Sequence, residues 1–180
     1  MRRMGPGGAW LAVLIGTTMP GFGQPQSPSA PQRFGDWEVV CGAAADMAKP
    51  GNAADRARAS TCRAVQRLTV QESGDTVFLL SVLSEGKGAL VGIVSIPLGG
   101  YLVPGVELTI DRQKAYKLLI ETCTATGCHA GFPLTGRVEK EMRSGQLATF
   151  RVWTTKNTPA DLQVSLKGFS DALADLERRS

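Results

Sequence analysis

Apolar residues recur along most of the chain in the short alternating or continuous runs that are typical of β-strands. Near the start of this region, Trp37, Val39 and Cys41 alternate with Glu38 and Val40, which is the period of a half-buried strand. Comparable runs follow, and several are rich in β-branched residues. The pattern predicts further strands at residues 67–71, 77–83, 90–96, 106–110, 116–120, 148–153 and 162–166.

The apolar runs 77–83 and 90–96 are separated by the segment Glu85-Gly86-Lys87-Gly88. Charged residues and glycines between two strand-like runs indicate a β-hairpin. Because neither run has a clear polar face, we expect both strands to lie at the centre of the fold.

Only the C-terminal end of the chain has the period of a helix. Apolar residues recur there at steps of three and four, at Leu166, Phe169, Leu173 and Leu176. The polar side is acidic and suits an anionic lipid surface poorly, so we expect the helix to pack against a sheet. These patterns predict an all-β protein, an antiparallel β-sandwich or flattened barrel with one short C-terminal helix.

The N-terminus has the features of a secretory signal. Arg2 and Arg3 form a basic start, residues 9–19 are apolar, and Gly21 and Gly23 supply small residues before a cleavage point. The apolar stretch is much shorter than the roughly 20 residues that span a bilayer. We therefore predict a signal peptide at 1–23, a disordered leader at 24–33 and a single β-rich domain at 34–180.

The composition of one further segment and the net charge of the mature chain add two expectations. Residues 42–61 contain alanines, glycine, proline and charged residues, which predicts an exposed loop with room for one helical turn. Removal of the signal leaves 18 basic and 16 acidic residues, a net charge of +2. The basic residues are scattered and have no aromatic residues interleaved among them, so we expect no nucleic-acid partner.

Four cysteines remain in a chain that matures where disulfides persist, and four cysteines allow three connectivities. We expect the local pairing, Cys41 with Cys62 and Cys123 with Cys128. Each of these pairs brackets a turn-rich segment between predicted strands, and no cysteine is left over.

Two other chemistries stay open for the same residues. Cys123, Cys128 and the sole histidine, His129, are potential zinc ligands, with Cys41 or Cys62 as a fourth. The Cys-x4-Cys spacing is unspecific, however, and an oxidising compartment favours disulfides. A redox-active dithiol is the second alternative, because a neighbouring histidine favours the thiolate. The usual redox pair has two intervening residues at a helix start, whereas residues 122–130 have the pattern of a strand-flanked turn.

Other catalytic signatures are missing from the sequence. The chain has no Gly-x-Ser-x-Gly elbow for a hydrolase nucleophile and no glycine-rich phosphate loop that leads into a helix. We expect no catalytic residue, no cofactor and no metal. Trp37 and Trp153 are expected in the core, while Tyr101 and Tyr116 are weak candidates for surface contacts.

Five segments, in this order, resemble the invasion-associated locus B family over nearly the whole mature chain. They are Phe34-Gly35-Asp36-Trp37 leading to Cys41; Cys62 leading to Gln66; Ile96-Pro97-Leu98-Gly99 with Pro104-Gly105-Val106 and Asp111; Cys123 with Gly127-Cys128; and Ser165-Leu166-Lys167-Gly168-Phe169. The resemblance implies a small exported β-rich protein of Gram-negative bacteria, periplasmic or associated with the envelope, and linked in some pathogens to host-cell entry. It implies no catalytic residues. Arg112 departs from the family, which usually has a turn glycine after the aspartate, and this leaves the shape of that turn open.

The sequence therefore favours an exported non-enzymatic protein, periplasmic or else extracellular and associated with the outer envelope, that binds another protein or a surface component. A periplasmic redox or metal-dependent factor built on Cys123, Cys128 and His129 is the main alternative. A small-ligand carrier is a third interpretation, which requires a closed barrel with an apolar cavity. The identity of the partner and the oligomeric state are left open.

Overall fold

Two antiparallel sheets face each other in the computed structural model, which describes residues 30–43, 60–85 and 88–179. Sheet A contains seven strands in the order β1-β2-β3-β4-β5-β9-β8, and sheet B contains four in the order β11-β10-β6-β7. Both orders are linear, so neither sheet closes on itself. The predicted all-β class is confirmed. Of the two predicted architectures, a sandwich and a flattened barrel, the chain adopts the sandwich.

The strands and helices in the described ranges have the following bounds. Sheet A is formed by β1 (Gln32–Phe34), β2 (Trp37–Ala43), β3 (Ser60–Thr69), β4 (Thr76–Ser84), β5 (Leu90–Ile96), β8 (Thr122–Thr124) and β9 (Gly127–Pro133). Sheet B is formed by β6 (Val106–Ile110), β7 (Tyr116–Leu118), β10 (Leu147–Thr155) and β11 (Thr158–Ser165). The helices are α1 (Gly136–Ser144) and α2 (Phe169–Arg179).

The core lies between the two sheets and under α2. Its largest side chains include Trp37 of β2, Phe78 of β4, Phe150 of β10 and Phe169 of α2. The rings of Trp37 and Phe169 have centroids 4.7 Å apart, and those of Phe78 and Phe150 are 4.9 Å apart. Large aromatic side chains thus fill the space between the sheets. This architecture is not the closed barrel that the carrier interpretation requires.

The predicted central hairpin is present. β4 and β5 pair antiparallel, and the amide of Glu85 donates to the carbonyl of Ala89 across their connection. β4 is the middle strand of sheet A. Gly86 and Lys87 of the predicted turn lie outside the described residues.

The C-terminal helix packs against sheet A, as predicted. α2 buries Phe169, Leu173 and Leu176, while Leu166 is buried just before the helix begins. The helix therefore begins about one turn later than the apolar period suggests. No helix among the described residues has the length and apolar character needed to cross a membrane.

The expectation of a single helix is wrong, because α1 also forms. Its apolar side consists of only Val138 and Met142, spaced four residues apart. Ion pairs with the same spacing join Arg137 to Glu141 and Arg143 to Glu139. Two buried residues in a charged nonamer make too short an apolar stripe to be distinguished from a loop by its period.

Three other expectations about the backbone change. β1 begins at Gln32, so the last two residues of the predicted leader 24–33 are paired with β2. β2 and β3 take the ends of the predicted loop 42–61, and its residues 44–59 lie outside the described part, as does the predicted signal peptide. In the turn that contains Arg112, Asp111 itself adopts the left-handed conformation, with a φ of 50°. Its carboxylate accepts hydrogen bonds from the amides of Gln146 and Leu147, which supports that conformation without a glycine.

Candidate functional site

The four cysteines lie in two cross-strand pairs. Cys41 on β2 faces Cys62 on β3, and Cys123 on β8 faces Cys128 on β9, in each case as directly opposed residues of the strand register. The sulfur atoms are 2.04 Å apart in the first pair and 2.06 Å apart in the second. These are the two local pairings that the sequence favours.

The structure does not bring the proposed zinc ligands together. β4 and β5 separate the strands of the first cysteine pair from those of the second. The Nδ1 atom of His129 lies 2.9 Å from the hydroxyl oxygen of Ser95 on the neighbouring strand β5. Within the described ranges, no group of three or more cysteine, histidine or carboxylate side chains has a geometry suited to a metal ion.

The contact between Ser95 and His129 resembles part of a hydrolase site but has the wrong setting. The two residues are opposed partners in the middle of adjacent strands. A hydrolase serine usually occupies a sharp turn from strand to helix, which exposes its hydroxyl beside backbone oxyanion donors. A polar cross-strand pair is the simpler interpretation.

The aromatic candidates have structural roles. The Tyr116 hydroxyl donates to Oε2 of Glu141 at 2.8 Å, and the guanidinium of Arg137 lies 4.1 Å from the ring centroid. Burial and then the bond to Glu141 raise the pKa of Tyr116. Tyr116 thus joins β7 to α1. The expectation that Trp153 lies in the core is wrong, because it is half-buried and its carbonyl accepts a bond from the amide of Tyr101.

Two of the five motif segments meet at one corner of the sandwich. The β1–β2 turn and the β11–α2 connection come together there, although they are more than a hundred residues apart in sequence. The Asp36 amide donates to the Lys167 carbonyl at 3.1 Å. The Trp37 indole Nε1 donates to the Ser165 carbonyl at 2.9 Å. These two bonds connect an edge of sheet A to an edge of sheet B.

Glycine allows this approach. Gly35 has a φ of 56°, and a Cβ atom on it would lie 2.6 Å from the Lys167 carbonyl oxygen. Gly168 has a φ of 86°, and a Cβ atom on it would overlap the carbonyl group of Phe34. Both positions combine a left-handed backbone with no space for a side chain.

Gln66, another motif residue, extends the same corner. It faces the core side of β3, next to Trp37, and its Nε2 donates to the Asp36 carbonyl at 2.9 Å. The side chain is 8% exposed, and its Oε1 atom has no hydrogen-bond partner among the described residues. A buried acceptor without a donor destabilises a fold by about 1–3 kcal/mol, so native proteins rarely keep one. This acceptor lies next to a surface feature.

That surface feature is a cleft of about 460 Å³ that is open to solvent. It lies where β1, β2 and β3 of sheet A meet the end of β11 in sheet B. Its size is in the range of ligand-binding clefts, about 300–1,000 Å³. The lining residues are mostly polar or charged, and they are Arg33, Gly35, Asp36, Glu38, Val65, Gln66, Arg67, Leu68, Gln163 and Ser165.

A charged triad occupies the sheet A side of the cleft. Glu38 on β2 accepts from Arg33 on β1 at 2.8 Å and from Arg67 on β3 at 3.3 Å. The arginine side chains are 79% and 44% exposed, whereas Glu38 is 23% exposed. One carboxylate thus serves two guanidiniums, which leaves several free N–H donors at the cleft, although Asp36 also lines it and balances the charge of the triad.

The outer face of sheet A beside the triad carries several apolar side chains, interrupted by Ser81 and Ser95. Val65 is 1% exposed there, and Leu79, Val91 and Ile93 are half-buried. These residues lie outside the contiguous core cluster. We took the absence of a polar face on β4 and β5 as a sign that both strands are central. It also reflects the apolar side chains that these strands place on the outer face of the sheet.

Comparison with known families identifies the chain. A sequence profile described as "Invasion associated locus B (IalB) protein" matches residues 37–177, most of the chain. The chain belongs to the invasion-associated locus B family. The resemblance drawn from the five segments is therefore confirmed.

One relative and one solved structure extend the comparison. "Invasion protein B" from Bartonella bacilliformis is 27% identical over 152 residues, which cover 82% of this chain and 75% of the relative. The crystal structure of invasion associated protein B from Bartonella henselae matches with a TM-score of 0.68 and 22% identity. That match covers 84% of this chain and 98% of the other, and it shows that the two share a fold.

The family motifs indicated only part of the cleft. Asp36, Gln66 and Ser165 belong to motif segments, but Arg33, Arg67 and Gln163 were not singled out by the sequence. The alternation of β3 places Arg67 on the face opposite Gln66. The pairing that puts it beside Glu38 depends on strand register, which has no local signature.

Proposed function

We propose that this chain is an exported, non-enzymatic protein of the bacterial envelope that binds another protein or a surface component through the cleft. The observation that carries the proposal is the construction of the cleft. Family motif residues hold its two sides together, and two exposed guanidiniums and a buried amide line it. Such convergent polar groups in a preformed cleft are typical of a binding site.

Export is supported by the signal-like N-terminus and by the two cross-strand cysteine pairs. We place the mature protein in the periplasm or on the outer envelope. A role in host-cell entry is suggested by the names of the relatives, and we extend it to this chain as part of the proposal.

The non-enzymatic character rests on how the candidate groups are used. His129 is bonded to a mid-strand serine, the cysteines are paired, and the carboxylate of Glu38 in the cleft is joined to two arginines in ion pairs. This arrangement favours recognition of a charged or polar partner over acid–base or nucleophilic chemistry.

Site-directed photo-cross-linking in intact cells tests the proposal. A photoreactive amino acid replaces Arg67 in the cleft or, as the matched control, Lys117, which is also an exposed basic strand residue but lies on β7 at the far edge of sheet B. We expect one discrete adduct from position 67 and none of that mass from position 117. Equal adducts from both positions, or none from position 67, would contradict binding at the cleft.

A further inference from the structure

β11 is an edge strand of unusual length for this protein. It has eight residues, whereas the other edge strands of the two sheets, β1, β7 and β8, have three each. A long edge presents a row of unpaired backbone groups that can pair with another chain. Proteins that use such an edge for recognition add a bound peptide to the sheet as an extra strand.

The strand register shows which backbone groups of β11 face outward. The Leu166 amide donates to the Gln146 carbonyl, which makes these opposed residues a hydrogen-bonded pair. Hydrogen-bonded pairs alternate along an antiparallel ladder. The peptide groups of Leu162 and Val164 therefore point towards β10, while those of Asp161 and Gln163 point away from it.

The outward direction leads to the cleft. Ser165 has the same parity as Gln163, and its carbonyl accepts the Trp37 indole of sheet A. Gln163 and Ser165 both line the cleft. Among the described residues, the amide and carbonyl of Asp161 and of Gln163 have no hydrogen-bond partner. Pro159 has no N–H group, so the donor row of this edge begins after it.

The free guanidinium N–H groups around this edge favour a carboxylate on the partner. The side chain of Asp161 is held by Arg151 in a two-bond ion pair at 2.7 and 2.9 Å, so it adds little repulsion. Across the cleft, Arg33 and Arg67 share the single carboxylate of Glu38 and keep free donors. The buried Oε1 of Gln66, which has no hydrogen-bond partner among the described residues, lies beside the same cleft.

We propose that β11 binds an extended peptide segment as a fifth strand of sheet B, with a carboxylate side chain of that segment placed against Arg33 and Arg67. The inference rests on the proposed function and specifies how the cleft recognises its partner. Gln163 and Ser165 line the cleft on one side and the β1–β2 turn lines it on the other, so a second copy of this chain would have to bring its own β11 past that turn.

The test begins with a bead-displayed library of random eight-residue peptides, screened against the folded protein and followed by synthesis of a selected peptide. Its affinity is then measured for the wild type, for Gln163→Pro and for Gln163→Ala. Proline removes the outward N–H and is tolerated on an edge strand, because that N–H makes no bond to β10. Alanine changes the side chain and keeps the N–H, so it is the matched control.

We expect Gln163→Pro to weaken binding about tenfold or more, since it removes one hydrogen bond and places a ring where the peptide must lie. Gln163→Ala should change affinity by less than about threefold. N-methylation of the peptide amides, one at a time, should weaken binding at alternate positions only, and this result does not depend on the folding of a variant. Replacement of the acidic residue of the selected peptide by its amide counterpart should weaken binding about two- to fivefold at low salt.

Several results would overturn the inference. These are the selection of no peptide above background, equal effects of the proline and alanine variants, and an N-methyl scan without alternation. A wild-type dimer that Gln163→Pro converts to a monomer would show that a second copy is the occupant instead. If the cross-link at Arg67 is obtained but binding is insensitive to Gln163→Pro, the binding function stands and the added-strand mode fails.

Discussion

Replacement of Gly168 by alanine tests the corner that joins the two sheets. Gly168 has a φ of 86°, and a Cβ atom there would overlap the Phe34 carbonyl group in the β1–β2 turn. Two effects then destabilise the fold. The left-handed backbone is unfavourable for any residue with a Cβ atom, and the overlap forces the turn away from the β11–α2 connection.

The two effects have separable magnitudes. The left-handed conformation costs about 1–2 kcal/mol for an alanine. Overpacking of a tight contact adds about 1–3 kcal/mol. We therefore expect Gly168→Ala to lower the free energy of unfolding by about 2–5 kcal/mol.

Gly74 provides the matched control. Its φ of 74° is close to that of Gly168, but nothing lies within 4 Å of the position that a Cβ atom would take. Gly74→Ala should therefore show only the backbone effect, about 1–2 kcal/mol. The difference between the two variants isolates the contact between the corner segments.

Urea denaturation followed by tryptophan fluorescence measures both variants. Thermal unfolding gives a second measurement, in which about 2–4 °C of Tm is expected per kcal/mol for a chain of this size. Equal destabilisation by the two substitutions would refute the reasoning, because it would mean that the close approach of Gly168 to Phe34 contributes nothing to stability.

Three further predictions concern the cleft, pH and the cysteines. Gln66→Met removes both the bond to Asp36 and the orphaned acceptor, so we expect unfolding free energy within about 1 kcal/mol of wild type but weaker peptide binding; a large loss of stability in urea would contradict this. Burial raises the pKa of Asp175, but hydrogen bonds from Arg179 and Arg178 outweigh it and hold that pKa below its usual value. Its carboxylate therefore stabilises the fold above about pH 4 and loses this effect as pH falls through the lower folded pKa, so the stability difference between wild type and Asp175→Asn, measured in urea at several pH values, should shrink on acidification; a constant difference would be the contrary result. Serine replacement of Cys41 and Cys62, which close a loop of 21 residues, should lower the free energy of unfolding by about 3 kcal/mol. The same replacement of Cys123 and Cys128, which close a loop of five, should lower it by about 2 kcal/mol. Free thiols in protein taken from the periplasm would instead support the redox and metal alternatives.

The strands were predictable where one face of the sheet is buried. Val106–Ile110 was predicted to the residue, because alternate positions are buried between the sheets. In contrast, α1 escaped prediction because only Val138 and Met142 mark its buried side. The ion pairs at four-residue spacing within α1 were the signal that could have revealed it.

The cleft was not predictable as a unit. Its residues come from β1, β2, β3 and β11, and the bond from Trp37 to Ser165 joins positions 128 residues apart. The family segments marked several of these positions without showing that they meet. The pairing with β10 decides which peptide groups of β11 face outward. This pairing register is a property of the three-dimensional structure and has no local sequence signature.

Amide hydrogen exchange on β11 tests the central claim most directly. In the free protein, the amides of Asp161 and Gln163 should exchange rapidly, while those of Leu162 and Val164, bonded to β10, should be protected. In the complex with the partner captured at Arg67, we expect Asp161 and Gln163 to become protected as well, giving slow exchange at every position from 161 to 164. Unchanged exchange at Asp161 and Gln163 in that complex would contradict the account.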